Sequence, residues 1–163
     1  MSTETTALAT VKQHALVIDP NDEKMVELIR TTYLKNGTVA QLKLFIATTN
    51  RTGLDPIRGE ICAVIRGGAM SIQTMRDGFR VIASRTGEVA GQDAPEWCDK
   101  DGNWKDVWLS DTPPAAARVK VWRKGHERPY VGIAPWKEFN NPHNPLYAKM
   151  PAHMLAKCAE TQA

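Results

Sequence analysis

Ala116-Ala117-Arg118-Val119-Lys120-Val121-Trp122-Arg123 is the stretch on which the fold turns. Side chains alternate across a strand, so Val119 and Val121 fall on one face. Arg118, Lys120, Trp122 and the following Lys124 fall on the other. Strict alternation puts Arg123 on the valine side, so it reaches the basic face only if the strand has ended or bulged there. A strand that is apolar on one side calls for a packed layer behind it and leaves its second side polar.

Working outward toward the C-terminus, Lys124 to Arg128 reads as a loop and Pro129 to Ile133 as a second strand. Trp136 and Phe139 open a short amphipathic piece, followed by the polar, proline-broken run from Asn140 to Pro145. A last helix begins at Pro151, with Met154, Leu155, Cys158, Ala159 and Gln162 on or near its inner side. Its final turn has no visible cap at Ala163, as expected of a chain truncated at that end.

Toward the N-terminus, residues 88–117 interrupt the pattern. Trp97, Trp104 and Trp108 sit among six acidic residues there, and Pro113-Pro114 closes the stretch. It reads as a protruding, partly hairpin insert with a place in subunit contacts. Before it, Phe79, Ile82 and Ala83 mark a short helix, with Asp77 as its N-cap and Gly87 as its end. Glu60 to Ile65 and Met70 to Met75 are strands joined by a Gly67-Gly68 turn. Two earlier helices complete the pass. One is capped by Asp19 and carries Met25, Leu28, Ile29, Thr32 and Tyr33 on one side. The other has a Thr38/Gln41 capping box, a stripe of Leu42, Phe45, Ile46 and Thr49, and a Gly53 exit.

The expected architecture is α+β, a small antiparallel sheet packed against two or three helices with the acidic, Trp-containing insert. Residues 1–18 read as a flexible or loosely docked arm and 19–163 as one core domain. The chain has 163 residues, 42% of them apolar, enough for a core without disulfide or metal staples. Cys62, Cys98 and Cys158 are widely spaced and odd in number, which favours reduced thiols. The N-terminus has no signal-peptide pattern, and no run approaches a membrane span.

A net charge of +3 is modest, but its distribution is uneven. Residues 93–117 carry two basic and six acidic side chains, whereas 118–163 carry eight and three. A field so divided attracts a polyanion more strongly than the total suggests. The parts list of most enzymes is missing: no Gly-Lys-Ser/Thr phosphate loop, no Cys-x-x-Cys and no His-Glu-x-x-His. His153 and Cys158 are five apart, on different faces of one helix, which argues against a dyad. A metal-dependent nuclease, or a structural oligomer-forming protein without a nucleic-acid role, are the alternatives that remain.

Positive groups interleaved with an aromatic suit a single-strand groove, with charge for phosphates and a ring for bases. Lys120, Trp122 and Lys124 supply that pattern, with Arg123 as a conditional addition. Arg76, Arg80 and Arg85 on the short helix add guanidinium clamps. Lys149, His153 and Lys157 contribute from the end of the chain, as does Lys137. These side chains form one groove if the fold converges them.

Five segments run in order along the chain: Leu44 to Pro56, Gly59-Glu60-Ile61, Arg76-Asp77-Gly78-Phe79-Arg80-Val81-Ile82, Val121-Trp122-Arg123-Lys124, and Met150 to Glu160. In these the sequence resembles the single-strand annealing proteins of phage recombination, the RecT and lambda Red beta (Bet) group. The resemblance implies binding of single-stranded DNA and of the annealed duplex intermediate, with annealing that uses no ATP and no covalent chemistry. It also implies assembly into a ring or helical filament, work beside a 5′-to-3′ exonuclease, and residence in the cytoplasm of a bacterial host. No cofactor is expected to be required, with magnesium as a modulator of DNA binding. Carried over by motif, Arg80 and Lys157 look like groove residues, and Arg123, Lys124 and His153 are further candidates. Asp77-Gly78 looks like the turn that shapes the groove floor.

Overall fold

The computed structural model describes residues 17–163. The fold is α+β, with helices and two small antiparallel sheets, and the chain divides into two compact units, Met1–Gln73 and Thr74–Ala163.

The first unit holds α1 (Glu23–Tyr33), α2 (Val39–Thr52) and the hairpin β1 (Ile61–Arg66) and β2 (Ala69–Thr74). The start of α1 corrects the expected cap. Asp22, not Asp19, takes the free amides of Lys24 and Met25, and Asp19 instead closes a turn by accepting from the Asn21 N–H. Both are aspartates within two residues of Pro20, so the choice turned on local geometry that composition does not reveal.

α2 forms as its sequence dictates. The Thr38 hydroxyl accepts from the Gln41 N–H, and the Gln41 side chain accepts from the Thr38 N–H, closing the capping box. Leu42, Phe45, Ile46 and Thr49 are all buried, and Gly53 leaves the helix in the left-handed region. In the hairpin, Gly67 and Gly68 both have positive φ, the pair a tight two-residue turn requires. Residues 1–16 of the expected arm lie outside the described residues. Ile18, at its end, is fully buried, and its N–H and carbonyl are both bonded by the Asn50 side-chain amide.

The second unit is built on a five-stranded antiparallel sheet. Its strands are β3 (Val89–Gln92), β4 (Glu96–Cys98), β5 (Trp104–Lys105), β6 (Ala116–Arg123) and β7 (Tyr130–Pro135). The stretch quoted at the outset is β6, to the residue. It is central: β7 pairs along most of it, while β4 pairs with its first half and β3 with its second.

Residues 89–92 and 96–98 therefore belong to the sheet, a correction to the reading of 88–117 as an excursion. Gly91, Asp93 and Pro95 disguise these strands, since all three residue types are poor strand formers. They are accommodated because β3 meets β6 through a bulge between Val89 and Gly91, and because Glu96 stands opposite Arg118.

Four helices accompany the sheet: α3 (Arg76–Arg85), α4 (Trp136–Phe139), α5 (Pro145–Lys149) and α6 (Pro151–Gln162). The core of this unit is Ala117, Val119, Ala134, Leu155 and Ala159, so α6 lies on the apolar face of β6 and β7. Small residues set that approach. A side chain at Gly132 would meet the Ala159 carbonyl oxygen at 2.0 Å, so the helix backbone rests almost directly on the strand. Trp97, beside Ala117 on β4, fixes the helix start by donating its indole N–H to the Ala152 carbonyl at 2.8 Å.

Candidate functional site

Arg118 and Lys120 of β6 lie on the sheet face away from α6, and acids meet them there. Arg118 forms a two-bond pair with Glu96, at 2.7 and 3.0 Å, and lies over the Trp104 ring. Lys120 approaches the same carboxylate at 3.2 Å, and the Trp122 indole N–H donates to Asp93 at 2.8 Å. Hydrogen bonding from Arg118 holds the Glu96 carboxyl far below its ordinary range, at about 2. The insert's acids thus neutralise the face that the sequence reading assigned to phosphate.

On the α6 side, a cleft of about 770 Å³ opens between α3, the β3/β6 end of the sheet and the last turn of α6. Phe79, Ile82, Ala83, Val89 and Val121 give it an apolar lining, and Arg76, Arg80 and Lys124 give it positive charge. The register explains how sheet residues reach it: Gln92 lies opposite Val121, and Val89 opposite Arg123, through the bulge.

α3 begins two residues earlier than expected, with Met75 and not Asp77 as its N-cap and no side-chain cap. Asp77-Gly78 is accordingly the first turn of a helix and not a loop that shapes a floor. Asp77, freed from capping, accepts from both Arg76 and Arg80 at 3.3 Å. A carboxylate in the first turn is favoured by the helix dipole, which is why the sequence tolerates it there without a cap.

Arg80 spans to α6. Its Nε and Nη2 donate to the two oxygens of Glu160 at 2.5 and 3.1 Å, which raises the Arg80 pKa above the ordinary guanidinium value. Lys124 donates to the Gly87 carbonyl at 2.7 Å, just beyond the end of α3, where a cation suits the helix dipole.

Of the ten basic and aromatic candidates, the structure brings Arg76, Arg80 and Lys124 to one cleft. His153 and Lys157 lie four apart on α6 and three to seven residues before Glu160, so they line the same side of the helix and lead to Arg80. Arg123 is on the cleft side of the sheet but at its margin, paired with Glu88, and its pKa is raised first by a hydrogen bond with Tyr130. Arg85 and Lys149 are exposed and outside the cleft lining. Lys120 and Trp122 are on the opposite face. One trough containing all ten does not form.

Sequence reasoning missed Glu160 as a clamp, Glu96 and Asp93 as counter-charges, and the exposed apolar lining of the cleft. The lining had a signal in Phe79, Ile82 and Ala83, which mark the apolar side of the helix; in the structure Phe79 and Ile82 are both more than 40% exposed. The long-range pairings had none, since Arg80 and Glu160 are 80 residues apart.

Fold and site together define an α+β protein whose basic side chains border an apolar cleft. The chain belongs to the RecT family, whose description matches residues 19–163. A search of curated proteins finds no match. Membership implies single-stranded DNA binding and strand annealing in recombination. Among the described residues, no helix is long and apolar enough to cross a membrane, and no three His, Cys, Asp or Glu side chains are grouped to hold a metal ion.

Proposed function

We propose that this chain anneals complementary DNA strands without ATP, holding a strand by its sugar-phosphate backbone along the border of the α3/α6 cleft. The observation that carries this reading is the convergence of Arg76, Arg80 and Lys124 from two separate elements on one opening, in a chain of the RecT family. The His153/Lys157 side of α6 extends the path. Phosphate neutralisation lowers the repulsion between two polyanions, and base pairing supplies the fidelity.

Single-site contact of a few cations is weak, so alignment of subunits in a ring or filament multiplies it along the strand. A 5′-to-3′ exonuclease supplies the exposed strand, the bacterial cytoplasm is the setting, and magnesium modulates binding without taking part in chemistry. Two complementary labelled oligonucleotides, mixed with the protein in EDTA and without ATP, give the test. Annealing above the protein-free rate is the expected result. Strand cleavage restored by magnesium would instead identify a nuclease, and neither activity would leave a structural oligomer-forming protein.

A further inference from the structure

Phosphate contacts explain the charged border of the cleft and leave its lining unexplained. Phe79, Ile82 and Val89 are 46%, 43% and 38% exposed and point into one opening, although the adjoining core of Ala117, Val119, Leu155 and Ala159 is closed to solvent. Exposed apolar side chains gathered in a concavity are what a small-molecule site presents, and about 770 Å³ falls in the range of such sites. The polar groups are few and sit on the walls: Gln92 from β3, Ser84 from α3 and Thr161 from α6.

The arrangement along α3 is specific. Phe79 lines the cleft together with Arg76 and Arg80 of the same helix, so an aromatic ring and two guanidinium groups border one opening. Arg80 cannot swing freely: three of its nitrogens donate to Glu160 and Asp77, and the Glu160 side chain is only 11% exposed. Arg80 is therefore fixed as half of an ion pair, and with Arg76 and Lys124 beside it the border keeps a net positive charge next to an aromatic, apolar floor. That pairing of positive border and open ring matches a nucleoside phosphate, with phosphate at the border and base within.

We propose that the cleft takes one nucleotide with its base turned inward against Phe79, so that the subunit holds a strand by a base as well as by its backbone. This rests on the reading of the cleft as the strand-binding site. Every base has an apolar face, so such a contact grips all sequences alike and adds affinity without base readout. The nucleotide comes either from the strand or from the free pool, and the chemistry is shared.

The experiment measures binding of the protein to a thymidine oligonucleotide and to one of equal length whose sugars carry no base. Each is titrated at several salt concentrations. The base-bearing strand should bind about tenfold more tightly with the same salt slope, since one stacked base contributes about 1–3 kcal/mol and no counterion. Phe79→Ala should abolish that preference and leave the abasic strand's affinity unchanged. Phe79→Trp should keep the preference, and its fluorescence should be quenched by the thymidine strand and not by the abasic one, which guards against a variant that fails to fold. Thymidine 5′-monophosphate that competes better than the strand at equal nucleotide concentration assigns the cleft to a free nucleotide; weaker competition assigns it to the strand.

Equal affinity for the two strands, or a Phe79→Ala loss shared equally by both, overturns the proposal. If Arg80→Ala and Lys124→Ala leave both affinities and both salt slopes untouched, the strand-binding reading of the cleft fails instead.

Discussion

The two faces of the second unit's sheet carry the same kinds of residue and use them oppositely. On the face away from α6, Arg118, Lys120 and Trp122 meet Glu96 of β4 and Asp93 in the link between β3 and β4, and the charges cancel locally. On the α6 face, the strand is apolar, and the cations come from its ends and from helices: Arg76 and Arg80 from α3, Lys124 from beyond β6. Acids reach the cleft cations as well, Asp77 pairing with Arg76 and Arg80 and Glu160 with Arg80, but there three cations face two carboxylates, whereas Arg118 and Lys120 face Glu96 and Asp93. What matters is where cations outnumber their acidic neighbours beside an opening.

The largest effect should come from the covered face. Replacing Gly132 with Val places carbon atoms where the backbone of α6 already lies, at a cost of about 3 kcal/mol or more. The second unit should lose its cooperative unfolding transition or melt far below the parent. Ile133→Ala, on the other face and 49% exposed, should stay within about 0.5 kcal/mol of it by thermal melting. If the two variants melt alike, α6 does not rest on β7 in solution.

The next effect concerns DNA. Lys124→Ala should weaken single-strand binding several-fold and flatten the salt slope by about one. Lys120→Ala, whose ammonium already faces Glu96, should change binding less than twofold. The reverse order would exchange the roles of the two faces.

A smaller effect tests the neutralised face alone. Glu96 has a folded pKa of about 2 against an ordinary 4.5, so its ionised pairing stabilises the fold fully above pH 4.5 and progressively less as the pH falls toward 2. Glu96→Gln should cost about 1–2 kcal/mol near pH 7, and the gap from the parent should close by pH 2 in denaturant melts. A gap independent of pH would mean that packing, and not the charge pair, is what the substitution removes.

The regular elements were legible because their signals are local. The Thr38/Gln41 box, the Gly53 exit, the Gly67-Gly68 turn and the alternation of β6 each fit within a few residues, and each forms as read. The caps of α1 and α3 misled, because an aspartate near a helix start can cap, turn or pair with an arginine. Asp19, Asp22 and Asp77 do one of each. The site was legible only in part. Arg76 and Arg80 share a helix, so their association follows from spacing, and Lys124 joins them through the sheet register. The counter-charges lie 22 to 80 residues from their partners, beyond any periodicity. The strands β3 and β4 were obscured because their pairing with β6 overrides poor local propensity.

The Gln41 side chain ends its capping box with one atom to spare. Its oxygen accepts from the Thr38 N–H at 2.9 Å, while its nitrogen donates to the Gly68 carbonyl at 2.9 Å, on the hairpin turn. A single planar amide therefore stitches the first turn of α2 to the bend between β1 and β2, and fraying at either place loosens the other. Glutamate, otherwise an equal partner in such boxes, would keep the first stitch and drop the second, so the choice of Gln over Glu couples two elements that secondary-structure preference treats as strangers.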